Sequence, residues 1–181
     1  MEEHKTLIEL QTKEYKKGSI LISPGEYSKY AYQVIKGCLK SYFVDKAGKE
    51  CILQFAPEGW AISDMDSYVN KVPATLFIDA IEDTEVILMN KPFPSFFSDI
   101  SNGTSLELIN KLTNNIIAAN KRMALLLSST AEERYLNFLD TYPALSQRLP
   151  LKLIASYIGI TPEYLSEIRN KMAKKTGPFI S

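Results

Sequence analysis

Apolar residues recur in two rhythms along this 181-residue chain, and the change between them most constrains its fold. Over 14–90, short runs rich in β-branched and aromatic residues alternate with turn signals. The runs are SILI (19–22), YAYQVI (30–35), CLKSYFV (38–44), ECILQF (50–55), TLFIDAI (75–81) and EVILMN (85–90). PGEYS, KG, DKAG, PEG and EDT separate them. Short strands so spaced indicate a sandwich or barrel, whose interior can hold a ligand or simply be packed. Over 104–128 the period lengthens. Ile109, Leu112, Ile116, Ala119, Met123 and Leu126 are spaced 3, 4, 3, 4, 3, the a/d seam of one long helix. Leu106, Leu108, Ile117, Leu125 and Leu127 supply a second stripe. With one stripe on its own body and the seam on a partner helix, the chain is expected to form a homodimer.

Thr130 with Glu133 forms a capping box that starts a further helix, TAEERYLNFLDTY (130–142), and Pro143 ends it. Leu149-Pro150 then leads into LKLIASYIGITPEYLSEIRNKM (151–172). Here Ala155 is small enough for two helices to cross closely, and Gly159 can take a tight turn at positive φ. Ile154, Ile158, Ile160, Leu165 and Ile168 are apolar, which completes the spacing of a helix-turn-helix. Thr161 suits the N-cap of the second helix and Pro162 its first position.

With Leu165, Ile168 and Met172 inward, Glu163, Ser166, Glu167 and Asn170 make one outward stripe, flanked by Tyr164, Arg169, Lys171, Lys174 and Lys175. Glutamate can accept from cytosine N4 and asparagine can pair with adenine, while Arg and Lys neutralise phosphates. Helical hairpins with a polar face occur in many bundles, but charge separates this one from them. Residues 148–175 carry six basic side chains against two acidic ones, a surplus of +4 on a chain of net charge zero. Double-stranded DNA is the expected partner.

The remaining composition mostly excludes. There is no run of about 18 apolar residues, and MEEHKTLIEL has no apolar h-region, so neither membrane nor secretion is expected and the location is read as cytoplasmic. If DKAG turns a hairpin with Val44 opposite Lys49, Cys51 faces Tyr42 and Cys38 faces Phe55, so both cysteines are expected as buried or half-buried thiols. His4 is the only histidine. No zinc or iron–sulfur site and no Ser-His-Asp or Cys-His arrangement is expected, and hence no enzyme.

A β domain, a long heptad helix and a helix-turn-helix in that order resemble the Crp/Fnr family of bacterial transcription regulators over residues 14 to 175. The motifs are KKGSILISPGE (16–26), YQVIKGCLK (32–40), DKAGKECIL (45–53), FAPEGW (55–60), TAEERYLNFL (130–139) and the 151–172 stretch. The resemblance is to the short members in which ITPEYLS opens the recognition helix, with TGPFIS in place of a full wing and little chain before KKGSIL. It implies an α+β fold. A cyclic-nucleotide-binding-like jelly roll would span 1–103, a dimerisation helix 104–128 and a DNA-binding domain 129–181. It also implies a possible small-molecule effector and RNA polymerase as a possible further partner.

In cyclic-AMP-binding members a Gly-Glu-Leu segment holds the ribose and an Arg-Ser-Ala segment the phosphate. The corresponding positions here are Ser63, Asp64 and Met65, with Ala74 and Thr75, and the family's polar contact on the long helix falls near Asn120. The phosphate arginine has no counterpart, the nearest cations being Lys71 and Lys91. Loss of a bidentate charge partner costs several kcal/mol, so cyclic AMP is not the expected effector. Cys38, Cys51 and His4 match neither the oxygen-sensing nor the haem branch. The alternatives are a ligand-binding or protein-interaction module with a degenerate helix-turn-helix and, more remotely, an enzyme on a cupin-like barrel.

Overall fold

Strands form where β-branched and aromatic residues cluster, and the 3.6-residue period gives way to helices, in a computed structural model that describes residues 11–89 and 103–175. His4, Lys91 and the TGPFIS tail lie outside the described residues. The strands are β1 (Gln11–Tyr15), β2 (Ile20–Ile22), β3 (Ala31–Lys36), β4 (Leu39–Val44), β5 (Glu50–Ala56), β6 (Ala61–Ile62), β7 (Phe77–Ala80) and β8 (Thr84–Met89). The helices are α1 (Met65–Asn70), α2 (Gly103–Ser128), α3 (Ala131–Thr141), α4 (Leu151–Ile158) and α5 (Pro162–Lys175).

Two four-stranded sheets, ordered β1-β8-β3-β6 and β2-β7-β4-β5, give the sandwich or barrel that the turn spacing indicated and the α+β jelly roll that the resemblance implied. Alternation fills the interior. Val86 and Leu88 on β8 and Ile78 and Ala80 on β7 are buried in one core cluster with Ile22, Val34, Leu39 and Ile62. On β4 and β7, Lys40 and Asp79 form an ion pair at 3.3 Å whose side chains are 7% and 14% exposed. Truncating one partner alone would leave the other charge desolvated.

Three short elements escaped the sequence. The strand β1 is polar and almost wholly exposed, and it exists because it pairs with β8 from Gln11↔Leu88 to Tyr15↔Thr84. The strand β6 has only two residues, and α1 sits in a segment read as β. The hairpin turn also differs from expectation. The Asp45 N–H donates to Lys49 O, so Asp45, not Val44, closes the loop opposite Lys49. Gly48 at φ +79° takes the left-handed position of a three-residue loop, which adds a residue to the register.

The chain forms two units, residues 1–41 with 55–107 and residues 42–54 with 108–181. The tip of the β4–β5 hairpin thus groups with the helices, although the sequence placed it in the β domain. On α2 the inward face also differs from expectation. Ile117 is 47% and Leu127 84% exposed, while Ile109, Asn115, Ala118, Arg122 and Leu125 are the half-buried positions among the side chains described. The side chains of Leu106, Leu108 and Leu112 lie outside the described residues. An arginine and an asparagine hold two places on the packed face, so apolar periodicity could not trace it.

Of the described glycines, Gly37 leaves the least room for a side chain. At φ +90° beside the irregularity between Val34 and Lys36, a Cβ there would stand 2.5 Å from Asp83 O and 2.6 Å from Thr84 Oγ1. Gly48 has a comparable φ but open space around it. Gly48→Ala is expected to cost about 1–2 kcal/mol from the left-handed backbone alone. Gly37→Ala should cost about 1–3 kcal/mol more for overpacking, as a lower urea midpoint.

Candidate nucleic-acid interface

The helix α4 stops because its backbone reverses at Gly159, φ +73°. The Ile160 N–H reaches Ala155 O at 3.0 Å and the Gly159 N–H reaches Ser156 O at 3.2 Å, a Schellman closure that satisfies the last carbonyls. Thr161 caps α5: its Oγ1 accepts the Tyr164 N–H at 3.2 Å and its carbonyl accepts the Leu165 N–H at 3.0 Å. Ile154, Ala155 and Ile158 on α4 and Leu165 and Ile168 on α5 are buried, and Met172 is half-buried. The two helices therefore turn their apolar faces inward as the spacing predicts.

The opposite face of α5 is open. Glu163, Tyr164, Glu167, Arg169, Asn170, Lys171 and Lys174 are exposed, as is Thr161, while Pro162 and Ser166 are half-buried. The Ser166 hydroxyl donates to Pro162 O at 3.0 Å, so its proton is turned back onto its own helix and only its lone pairs face out. The exposed stripe is then Glu163, Glu167 and Asn170, two acceptors and an amide between cations. On α2, Ile116 (61%), Met123 (56%), Leu126 (40%) and Ala119 are exposed and Ile109 is half-buried, so most of the heptad seam stands free in the single chain.

Sequence periodicity missed the residues that hold this pair of helices. The Arg122 guanidinium donates to Tyr157 O from Nε (3.0 Å) and Nη2 (2.6 Å), to Ile52 O from Nη2 (2.8 Å) and to Leu53 O from Nη1 (3.1 Å). It also lies 4.2 Å over the Tyr157 ring. Burial pulls its pKa below the ordinary guanidinium value. Arg134 donates to Ile158 O (2.8 Å) and Ser129 O (2.7 Å). Ser156 Oγ donates to Glu50 O (2.6 Å) and accepts the Ile52 N–H (3.1 Å). Upstream, the capping box stands as expected, with the Glu133 N–H on Thr130 Oγ1 and the Thr130 N–H on Glu133 Oε2. Those Thr130 donors hold the Glu133 carboxyl below its usual range.

The implied ligand residues divide between the units. Ser63, Asp64, Met65, Ala74 and Thr75 lie in the β-domain unit, and Asn120 is an exposed residue of the other. Asp64 is 3% exposed and caps α1. Its Oδ1 accepts the Ser67 N–H (3.1 Å), and its Oδ2 accepts the N–H groups of Thr75 (2.8 Å) and Leu76 (3.0 Å). Ser63 Oγ donates to Tyr30 O (3.1 Å), Ala74 is buried and Met65 is 38% exposed. The signal for α1 was an Asp followed three residues later by an amide it could cap. Cys38 is buried and Cys51 half-buried, as expected of thiols.

Residues 12–93 match the protein family described as cyclic nucleotide-binding domain. Among curated proteins none matches the sequence. Solved structures show the fold. FixK2 from Bradyrhizobium japonicum is 23% identical with a TM-score of 0.73, over 95% of this chain and 89% of that one. A Crp/Fnr-family transcriptional regulator from Thermus thermophilus is 18% identical with a TM-score of 0.69, over 91% and 87%. A c-di-GMP responsive global regulator from Xanthomonas campestris is 13% identical with a TM-score of 0.71, over 92% and 87%. The chain thus has the fold of these solved structures, and its residues 12–93 are similar to the cyclic nucleotide-binding domain family. Among the described residues no helix is long and apolar enough to cross a membrane.

Phe138, Tyr142 and Tyr157 pack with ring centroids 5.6–5.8 Å apart. Burial pushes the Tyr157 phenol up from its ordinary 10.0, and burial does the same to Tyr32 in the β domain. A raised folded-state pKa means that this stability is fully present below the unfolded value and is lost as pH rises through the folded one. Melting temperature should therefore fall as pH rises above about 10, with the phenolate absorbance of Tyr32 and Tyr157 appearing at unfolding rather than before it.

Proposed function

We propose that this chain is a sequence-specific DNA-binding transcription regulator of the Crp/Fnr type, acting in the cytoplasm as a homodimer. The observation that carries the proposal is α5. It is pinned by buried Leu165 and Ile168, presents Glu163, Glu167 and Asn170 outward, and is ringed by Arg169, Lys171 and Lys174. Two acids on that face are unfavourable for mere backbone clamping and favourable for reading cytosine amino groups. The likeness to proteins described as transcriptional regulators supports the same role. The seam of Ile109, Leu112, Ile116, Ala119, Met123 and Leu126 supports the dimer, because four of its apolar side chains or methyls are exposed in the single chain. A regulator of this kind would also meet RNA polymerase.

The effector proposed is not cyclic AMP. Three backbone amides converge on Asp64, and its carboxylate already satisfies them. A cyclic phosphate brought there would meet a buried negative charge and no arginine. Ser63, Met65, Ala74 and Thr75 remain candidates for holding an uncharged effector.

Selection from random duplexes with the full chain should return a near-palindromic site with half-sites about 34 Å apart. Affinity should fall steeply with salt. Glu167→Ala should change base preference, by about 1–3 kcal/mol at one position, whereas Lys174→Ala should weaken all sequences alike. Equal effects of the two would overturn the assigned roles, and recovery of no preferred site would make the helix-turn-helix an interaction surface. Sedimentation showing only monomer at micromolar concentration would remove the dimer, and calorimetry showing micromolar cyclic AMP binding would overturn the effector assignment.

A further inference from the structure

The last three residues of α4 are each gripped by a side chain or backbone from a different element. Ser156 exchanges hydrogen bonds with Glu50 and Ile52 of the hairpin, Tyr157 O takes Arg122 of α2, and Ile158 O takes Arg134 of α3. Directly after them comes the Gly159 turn into α5. Arg122 alone among these spans three elements, because the same guanidinium also holds Ile52 O and Leu53 O. Among the described residues, all of its hydrogen bonds run to main-chain carbonyls. The carbonyl end of α4 carries partial negative charge, which gives the cation its electrostatic counterpart there. A planar fork can bond several carbonyls at once in a fixed relative geometry, which a lysine ammonium cannot.

We propose that Arg122 is a positioning residue for DNA recognition: by clamping the carbonyl end of α4 to the 42–54 hairpin and to α2, it sets the direction in which α5 leaves the Gly159 turn. Arg122 touches no base. It decides the angle at which Glu163, Glu167 and Asn170 are offered, and so it controls sequence-specific affinity rather than phosphate attraction. This rests on α5 reading DNA, and the closing experiment separates the two.

The first measurement needs no DNA. The Ile52 amide bonds to Ser156, not to Arg122, so its hydrogen exchange reports whether the clamp holds the hairpin on α4. In Arg122→Gln and in Arg122→Lys, exchange at Ile52 should rise about tenfold or more, while amides of β8 stay unchanged. The second measurement titrates the selected site and a scrambled duplex. The variants should lose about tenfold in affinity for the site and nothing for the scrambled duplex, since Lys171 and Lys174 are untouched. Unchanged exchange at Ile52 would overturn the clamp, and so would equal acceleration of β8 amides, which marks a general loss of stability. Faster exchange with unchanged specific affinity would overturn the positioning role. If the wild-type chain prefers no DNA sequence, the reading of α5 fails, and with it Arg122's role in recognition, while Ile52 still decides whether the clamp exists.

Discussion

Main-chain polar groups that end a helix inside a protein must find partners, and the arrangement around Gly159 follows from that constraint. The carbonyls at the end of α4 cannot all be closed by the Schellman turn. Two guanidinium groups complete them, one from α2 and one from α3, and Ser156 joins the same helix end to the hairpin. Helices and hairpin are thereby registered on each other by groups whose geometry is fixed by planar chemistry. The apolar contacts of Phe138, Tyr142 and Tyr157 supply cohesion but far less direction.

The β domain solves the mirror-image problem. There the orphaned groups are amides, those of Ser67, Thr75 and Leu76, and a buried carboxylate gathers them. Asp64 orders the start of α1 and the segment before β7 in one stroke, as Arg122 orders a helix end and a hairpin. In each unit a charged side chain acts as an internal ligand for backbone dipoles. The family likeness of residues 12–93 therefore identifies a scaffold without identifying its occupant.

The regular parts of the fold were legible because they obey a period. Six of the eight strands and the four longer helices follow directly from alternation, heptad spacing, the Thr130–Glu133 box and the Gly159–Thr161 turn. What periodicity could not supply were elements defined by partners. The strand β1 is polar and exists through β8; α1 exists through Asp64; the packed face of α2 includes Asn115 and Arg122, which no apolar count would choose. The outward face of α5 was legible for the same reason as the helices, except that Ser166 turns its proton inward.

The sequence by itself determined the order of a β sandwich or barrel, a long seam-bearing helix and a helix-turn-helix, because each is a local pattern of apolar spacing, caps and turn residues. It also determined the charge asymmetry that sets 148–175 apart. Only the tertiary structure decided that 42–54 belongs with the helices, that Asp64 is already surrounded by donors, and that Arg122 binds three carbonyls. These are contacts between residues far apart in sequence. A side chain's residue type states what it can bond, but only the folded chain brings a particular partner within about 3 Å.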